Sequence, residues 1–171
     1  MKSLPLTTAR LDDVPGLVQL VNRSYRGDSS RLGWTTEADL IDGTRIDETS
    51  LQMLINNPDG RLFVGWIDDE ICCCVYLETQ PTALYLGMLT VDPRMQGQGV
   101  GKQLLATADQ YAREQGCSVI TMTVVAQRPE LIAWYERHGF QPTEETLPFP
   151  GGTRFGVPRQ PLTLVVLRKA V

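Results

Sequence analysis

The sequence predicts one mixed α/β domain, and three observations carry that prediction. Seven short runs have β-type composition, amphipathic helical stretches fall between them, and no repeat or linker interrupts the chain. At 171 residues, 42% hydrophobic and 21% charged, the chain is long enough to bury one core of ordinary size.

LPLTTAR opens as a short strand. Asp12 or Asp13 is placed to cap a helix through VPGLVQLVNRSY, whose Val14, Leu17, Val18 and Val21 share a face and whose Pro15 fits a first turn. RGDSSRLGWTTEADLIDGTRID is polar, with Thr35 or Thr36 placed to cap a short helix ending near Gly43. Asp47 caps a helix through SLQMLIN, which stops at Asn57-Pro58-Asp59-Gly60. RLFVGWI and ICCCVYLE form a hairpin across Asp68-Asp69, and ALYLGMLTV is the next strand. VGKQLLATADQYAREQG is an amphipathic helix closed by Gly116. CSVITMTVV is a strand, and PELIAWYERHG is a short helix between Pro129 and Gly139. FQPTEET and LTLVVLRK are the last two strands, joined by LPFPGGTRFGVPRQP, a loop rich in Pro and Gly.

A net charge of −4 disfavours nucleic acid as a partner, because phosphate neutralisation needs clustered Lys and Arg. No apolar run approaches the roughly 20 residues of a membrane span, and MKSLPLTTARLDD lacks the apolar core of a signal peptide. No membrane partner and a cytoplasmic location are expected. Cys72, Cys73 and Cys74 are consecutive, so alternate residues face opposite ways. They read as small apolar filler in a buried strand, not as a metal site.

PRMQGQGVGKQLL places glycines at 97, 99 and 101 directly before a helix. The spacing fails the dinucleotide fingerprint, and Gln96 and Gln103 stand where a P-loop needs Gly and Ser or Thr. A helix N-terminus offers amides without intrahelical partners, and glycines let an anion approach them. Gly97 to Lys102 can therefore face a pyrophosphate.

Gln96, Gly99 and Gly101 also fit the pattern [QR]-x-x-G-x-[GA] between a strand and a helix, and AWYERHGF fits a second block. On both, the chain resembles the GNAT superfamily of N-acetyltransferases, from about residue 4 to residue 168. The resemblance implies a single domain over residues 1–171, with a central mixed, mostly antiparallel twisted sheet of about seven strands flanked by helices. It implies acetyl-CoA as donor, with Gln96, Gly97, Gln98, Gly99, Val100, Gly101 and Lys102 at the pyrophosphate. Backbone groups of Leu89, Thr90 and Val91 would pair with the pantetheine arm like an added strand. Gly87 falls where the family bulges this strand, splaying it from CSVITMTVV.

By the same resemblance Tyr135 is the acid that protonates the departing sulfur, and an amide near Leu89 stabilises the oxyanion. Arg128 stands where the family often has Asn; a contact to a CoA phosphate or a substrate carboxylate is one reading, a solvated surface Arg the other. ALYLGMLTV has no carboxylate, so Glu78 on the preceding strand is the candidate base, with a water chain as the alternative. His138 reads as an exposed helix-end residue.

By the same resemblance the acceptor side falls to the region between the first two helices and to the loop joining the last two strands, with Tyr25, Arg26 and Trp34 as candidate contacts. Carboxylates beside Trp34 suit a cationic amine, whereas Arg26, Arg31 and Arg45 suit a carboxylate. A small primary amine is expected. A protein lysine or N-terminal acetyltransferase is the first alternative, and a non-catalytic acyl-CoA-binding regulatory module the second. A homodimer through the last strand is compatible with the sequence.

Overall fold

The apolar runs assemble into one seven-stranded sheet in the computed structural model, which describes residues 3–171. In chain order the elements are β1 (Leu6–Thr8), α1 (Val14–Tyr25), β2 (Ile41–Asp42), α2 (Glu48–Asn56), β3 (Gly60–Ile67), β4 (Glu70–Thr79), β5 (Leu84–Val91), α3 (Val100–Glu114), β6 (Val119–Val125), α4 (Pro129–Glu136), β7 (Gln141–Pro148), β8 (Val157–Pro158) and β9 (Thr163–Ala170). The sheet order is β1-β3-β4-β5-β6-β9-β7, antiparallel throughout except between β5 and β6, which run parallel. This is the mixed, mostly antiparallel sheet expected from the sequence.

β4 is central and buried on both faces, which explains its unbroken apolar run. Cys73, Val75 and Leu77 pack toward α3, while Cys74 and Tyr76 pack toward α1 and α2. All three consecutive cysteines are free and buried, and burial pushes the Cys74 thiol up to about 12. They fill space, as predicted.

The local signals mostly hold. Asp47 accepts the Ser50 amide at 2.7 Å and caps α2. Asp68 and Asp69 both have positive φ, the geometry of a tight hairpin turn. Gly116 and Gly139, also at positive φ, close α3 and α4. Two expectations fail. Asp13 does not cap α1 through its side chain; a 3₁₀ turn over Leu11–Asp13 precedes that helix, and the Asp13 carboxylate accepts the Arg10 amide instead. No helix starts at Thr35 or Thr36. The chain makes a 3₁₀ turn over Asp28–Leu32, and both hydroxyls bond to other loop groups. The Pro/Gly-rich loop between the last strands is also more ordered than its composition suggests. Ile41 and Asp42 pair with Pro158 and Val157 as a second, two-stranded sheet.

β5 bends within its length. The pairing of β4 with β5 shifts between Cys74 and Tyr76, and Met88 adopts φ 51°. This is a bulge next to Gly87, one residue past the expected position. β5 meets β6 only at Leu84–Ile120 and Tyr85–Thr121, and beyond the bulge the two strands part.

β5 ends on Asp92, 1% exposed, whose carboxylate accepts from Arg23 Nη2 at 2.8 Å and from the Arg94 side chain and amide. Burial raises such a carboxyl, but the hydrogen bonds from Arg94 and Arg23 outweigh it and hold Asp92 well below the usual carboxylate range. A depressed carboxyl stabilises the fold fully above its unfolded value of about 3.9, and that contribution disappears as pH falls toward the folded value. The melting midpoint should therefore be flat from about pH 7 to 5 and fall in stronger acid. Asp92→Asn should destabilise by about 1–3 kcal/mol at pH 7 and fall less steeply in acid, as read by thermal melts across pH.

Candidate active site

The parting of β5 from β6 leaves backbone polar groups without sheet partners. The Leu89 carbonyl accepts the Tyr25 hydroxyl, and the Val91 carbonyl accepts Gln96 Nε2 at 3.1 Å. Residues 89 and 91 therefore turn their peptide groups to the opened edge. Thr90 and Val91 both stand in register with β4, opposite Cys74 and Cys73, but the Asp92 amide donates to the Cys72 carbonyl, so by strand alternation the peptide groups of Thr90 turn to β4 and those of Leu89 and Val91 to the gap.

Two cavities of about 290 Å³ each open on this edge. The first runs from Leu89 and Val91 to the glycine loop, lined by Gly97, Gly99, Val100, Gly101 and Lys102. Gly97 and Gly99 have φ of 79° and 84°, a conformation that favours glycine. A Cβ on Gly101 would stand 3.1 Å from the Trp134 ring, so this glycine lets α3 approach α4. The loop delivers the N-terminus of the 15-residue α3 to the cavity, with its unpaired amides and partial positive charge. A pyrophosphate fits these donors, and an extended amide-bearing arm fits the edge of Leu89 and Val91.

The second cavity lies on the other side of the same neck, between the parted strands and the loops 27–46 and 149–160. Tyr25, Leu89, Leu131 and Tyr135 line both cavities and form the neck. Tyr135 is 4% exposed and packs edge-on against Trp134 and Phe140. Among the described residues its hydroxyl has no hydrogen-bond partner, and no sealed side-chain oxygen lacks one; the hydroxyl therefore reaches the cavities. Burial, with Tyr25 beside it, raises Tyr135 far above the ordinary phenol value, so it keeps its proton at neutral pH. Burial likewise pushes Tyr25 up to about 12.

Several predicted residues stand elsewhere. Trp34 lines the glycine-loop cavity, tilted against Trp134 with ring centroids 6.1 Å apart, and not the acceptor side. Gln96 lines that cavity too, but its amide is committed: Oε1 accepts the Trp34 amide at 2.8 Å, and Nε2 donates to Thr35 Oγ1 and the Val91 carbonyl. Gln98 turns outward and donates to the Arg94 carbonyl. Arg128 is neither solvated nor turned to either cavity. It is 2% exposed and donates to the carbonyls of Thr35 and Trp34 at 2.8 and 3.2 Å and to Glu130. Glu78 faces α2, where it accepts the Tyr76 hydroxyl at 2.9 Å, and lines neither cavity. Arg26 does line the second cavity, paired there to Glu37.

The sequence reading missed other residues. His138 is half-buried in the glycine-loop cavity, its ring 4.3 Å from that of Trp134 and its Nδ1 on the Trp134 carbonyl. Its place three residues after Tyr135, one helical turn away, was the available signal. Glu37 and Arg45 line the second cavity; the sequence reading named Arg45 only together with Arg26 and Arg31, and nothing local distinguished Glu37 from the other carboxylates of the loop.

Residues 19–140 match the Acetyltransferase (GNAT) family. The chain is 31% identical over 94 residues to Acetyltransferase Atu2258 of Agrobacterium fabrum, a match spanning 55% of this chain and 61% of that relative. The fold is similar to that of a ribosomal-protein-alanine N-acetyltransferase from Brucella melitensis, with TM-score 0.70 and 21% identity over 98% of this chain and 100% of that one. It is also similar to the PaiA N-acetyltransferase of Thermoplasma acidophilum in complex with coenzyme A, with TM-score 0.71 and 15% identity over 99% and 100% of the two chains.

Acetyl-CoA and free CoA at about 100 times their Kd should each stabilise the protein by about 2.7 kcal/mol, a rise of several degrees in melting midpoint. NADH and ATP should give no comparable shift. Gly99→Glu should remove the response to both CoA ligands, because it adds strain at positive φ and an anion at the pyrophosphate position.

Proposed function

The chain belongs to the GNAT acetyltransferase family, and on that premise we propose that it moves an acetyl group from acetyl-CoA directly to a small primary amine. The observation that carries this reading is the shared neck: one cavity suited to the donor and one to an acceptor meet at Tyr135, Tyr25, Leu89 and Leu131.

The donor supplies an activated thioester; a C–N bond forms as the C–S bond breaks, the amine gives up one proton and the sulfur takes one. Leu89 and Val91 hold the arm along the opened edge, and the Leu89 amide is placed to stabilise a developing oxyanion. Tyr135 holds a proton beside the neck for the sulfur. Burial keeps the phenol protonated at neutral pH, so the proton is in place, while the raised pKa makes it a weaker acid than a free phenol. Glu78, bonded to Tyr76 on the α2 side, does not fit the role of base in this reading.

The acceptor cavity is small by the standard of ligand sites, which run from about 300 to 1,000 Å³. Its two loops are tied to each other by the pairing of β2 with β8 and by Arg26, which donates to the Phe155 carbonyl at 2.8 Å. These features support a compact acceptor over a protein chain.

Tyr135→Phe should lower turnover by about 10²-fold, measured as thiol release, with acetyl-CoA affinity within about twofold of wild type. Equal turnover in the two proteins would remove Tyr135 from the chemistry.

A further inference from the structure

The acceptor loops carry many charges, but most neutralise one another on the surface. Arg31 pairs with Asp28 and Asp39, Arg159 with Asp42, and Arg154 with Asp47. The charged side chains that line the acceptor cavity are Arg26, Glu37 and Arg45.

Arg26 is committed. It is 5% exposed, with Nε on Glu37 Oε1 at 3.2 Å and Nη1 on the carbonyls of Thr44 and Phe155. Gly156 at φ 98° makes room for it; a Cβ there would collide with Nη1. Arg26 therefore positions Glu37 and the two loops, and its own charge is largely spent. Glu37 is 8% exposed and uses only Oε1. Among the described residues no sealed side-chain oxygen lacks a partner, so Oε2 opens to the cavity that Glu37 lines.

Arg45 is the reverse case. It is half-buried over the Tyr25 ring at 5.5 Å and has no ion-pair partner among the described residues. Its backbone amide is fixed on Asn22 Oδ1 at 2.8 Å. Tyr25 in turn is bonded to the Leu89 carbonyl at the neck. A half-desolvated guanidinium without a counter-ion beside the reaction centre is a site for an incoming carboxylate. The remaining walls combine apolar side chains, Met122, Leu131, Phe149 and Phe155 among them, with the hydroxyl-bearing Tyr25, Tyr85, Thr123 and Tyr135.

We propose that the acceptor is a free amino acid with an apolar side chain, its carboxylate on Arg45 and its ammonium group at Glu37 Oε2. The inference rests on the acetyl-transfer reading and names the acceptor class for it. Charge decides between this class and a simple amine. The three lining groups sum to +1, so a cationic amine enters against a like field, while a zwitterion brings the anion that Arg45 lacks. Glu37 Oε2 is also placed to take the proton that the ammonium must lose before its nitrogen can attack.

Matched pairs test this: L-phenylalanine against phenethylamine, and L-leucine against 3-methylbutylamine, each with saturating acetyl-CoA and read as thiol release. The amino acids should be preferred by roughly 10–100-fold in kcat/KM. Arg45→Gln should erase that preference, mainly by raising KM for the amino acid, while the thermal shift with acetyl-CoA persists. Glu37→Gln should raise KM and lower kcat for both members of each pair and leave the preference in place. Equal or better use of the simple amines, a preference that survives Arg45→Gln, or turnover of neither member while acetyl-CoA still raises the midpoint would each overturn the proposal. Failure of the acetyl-transfer reading looks different: no thermal shift with acetyl-CoA and no thiol release with any amine.

Discussion

The parting of β5 from β6 is the feature on which the rest of the structure depends. Inside a sheet every backbone N–H and C=O has a partner, and a buried peptide group without one is costly. Here the bulge at Met88 turns β5 away after Tyr85 and leaves the peptide groups of Leu89 and Val91 on an edge that β6 does not cover. The two carbonyls are satisfied from within, by Tyr25 and Gln96. The result is an unfinished sheet edge at the centre of the molecule, with a helix N-terminus at one end and Tyr135 at the other. An extended ligand with amides along its length and phosphates at its tip completes both.

Several polar side chains that look like ligand contacts are instead what holds this gap open. Gln96 and Arg128 both bond to the same Trp34–Thr35 segment and fasten it beside the glycine-loop cavity. Arg26 does the same for the acceptor loops. Each satisfies backbone carbonyls or amides of segments that have little secondary structure of their own. Buried charge used this way fixes a loop in one place, at a desolvation cost that multiple hydrogen bonds offset.

In the proposed reaction the chemistry sits where the two cavities meet. Tyr25 and Tyr135 form the neck with their phenols held neutral by burial, one fixed to Leu89 and one without a protein partner. On the acceptor side the charges sort by commitment and not by number. Arg26 is saturated, while Arg45 and one oxygen of Glu37 are not.

Much of this was legible in the sequence because it rests on local rules. Alternation and periodicity gave the seven strands and four helices; Asp47, Gly116 and Gly139 marked helix ends; and the glycine loop with AWYERHGF indicated the donor side and the family. The misplaced residues share one physical trait. Glu78, Arg128 and Trp34 are long or large side chains whose direction depends on which neighbours pack around them, and a sequence does not state that. Thr35 carries the signal of a helix cap, but its hydroxyl was taken by Gln96, 61 residues away in the chain. The sequence by itself determined the fold, the family and the glycine loop before α3, because backbone preferences and glycine spacing are local. Only the tertiary structure decided which of the many loop charges face the acceptor, because ion pairing between distant segments removes most of them from play and leaves Glu37 and Arg45.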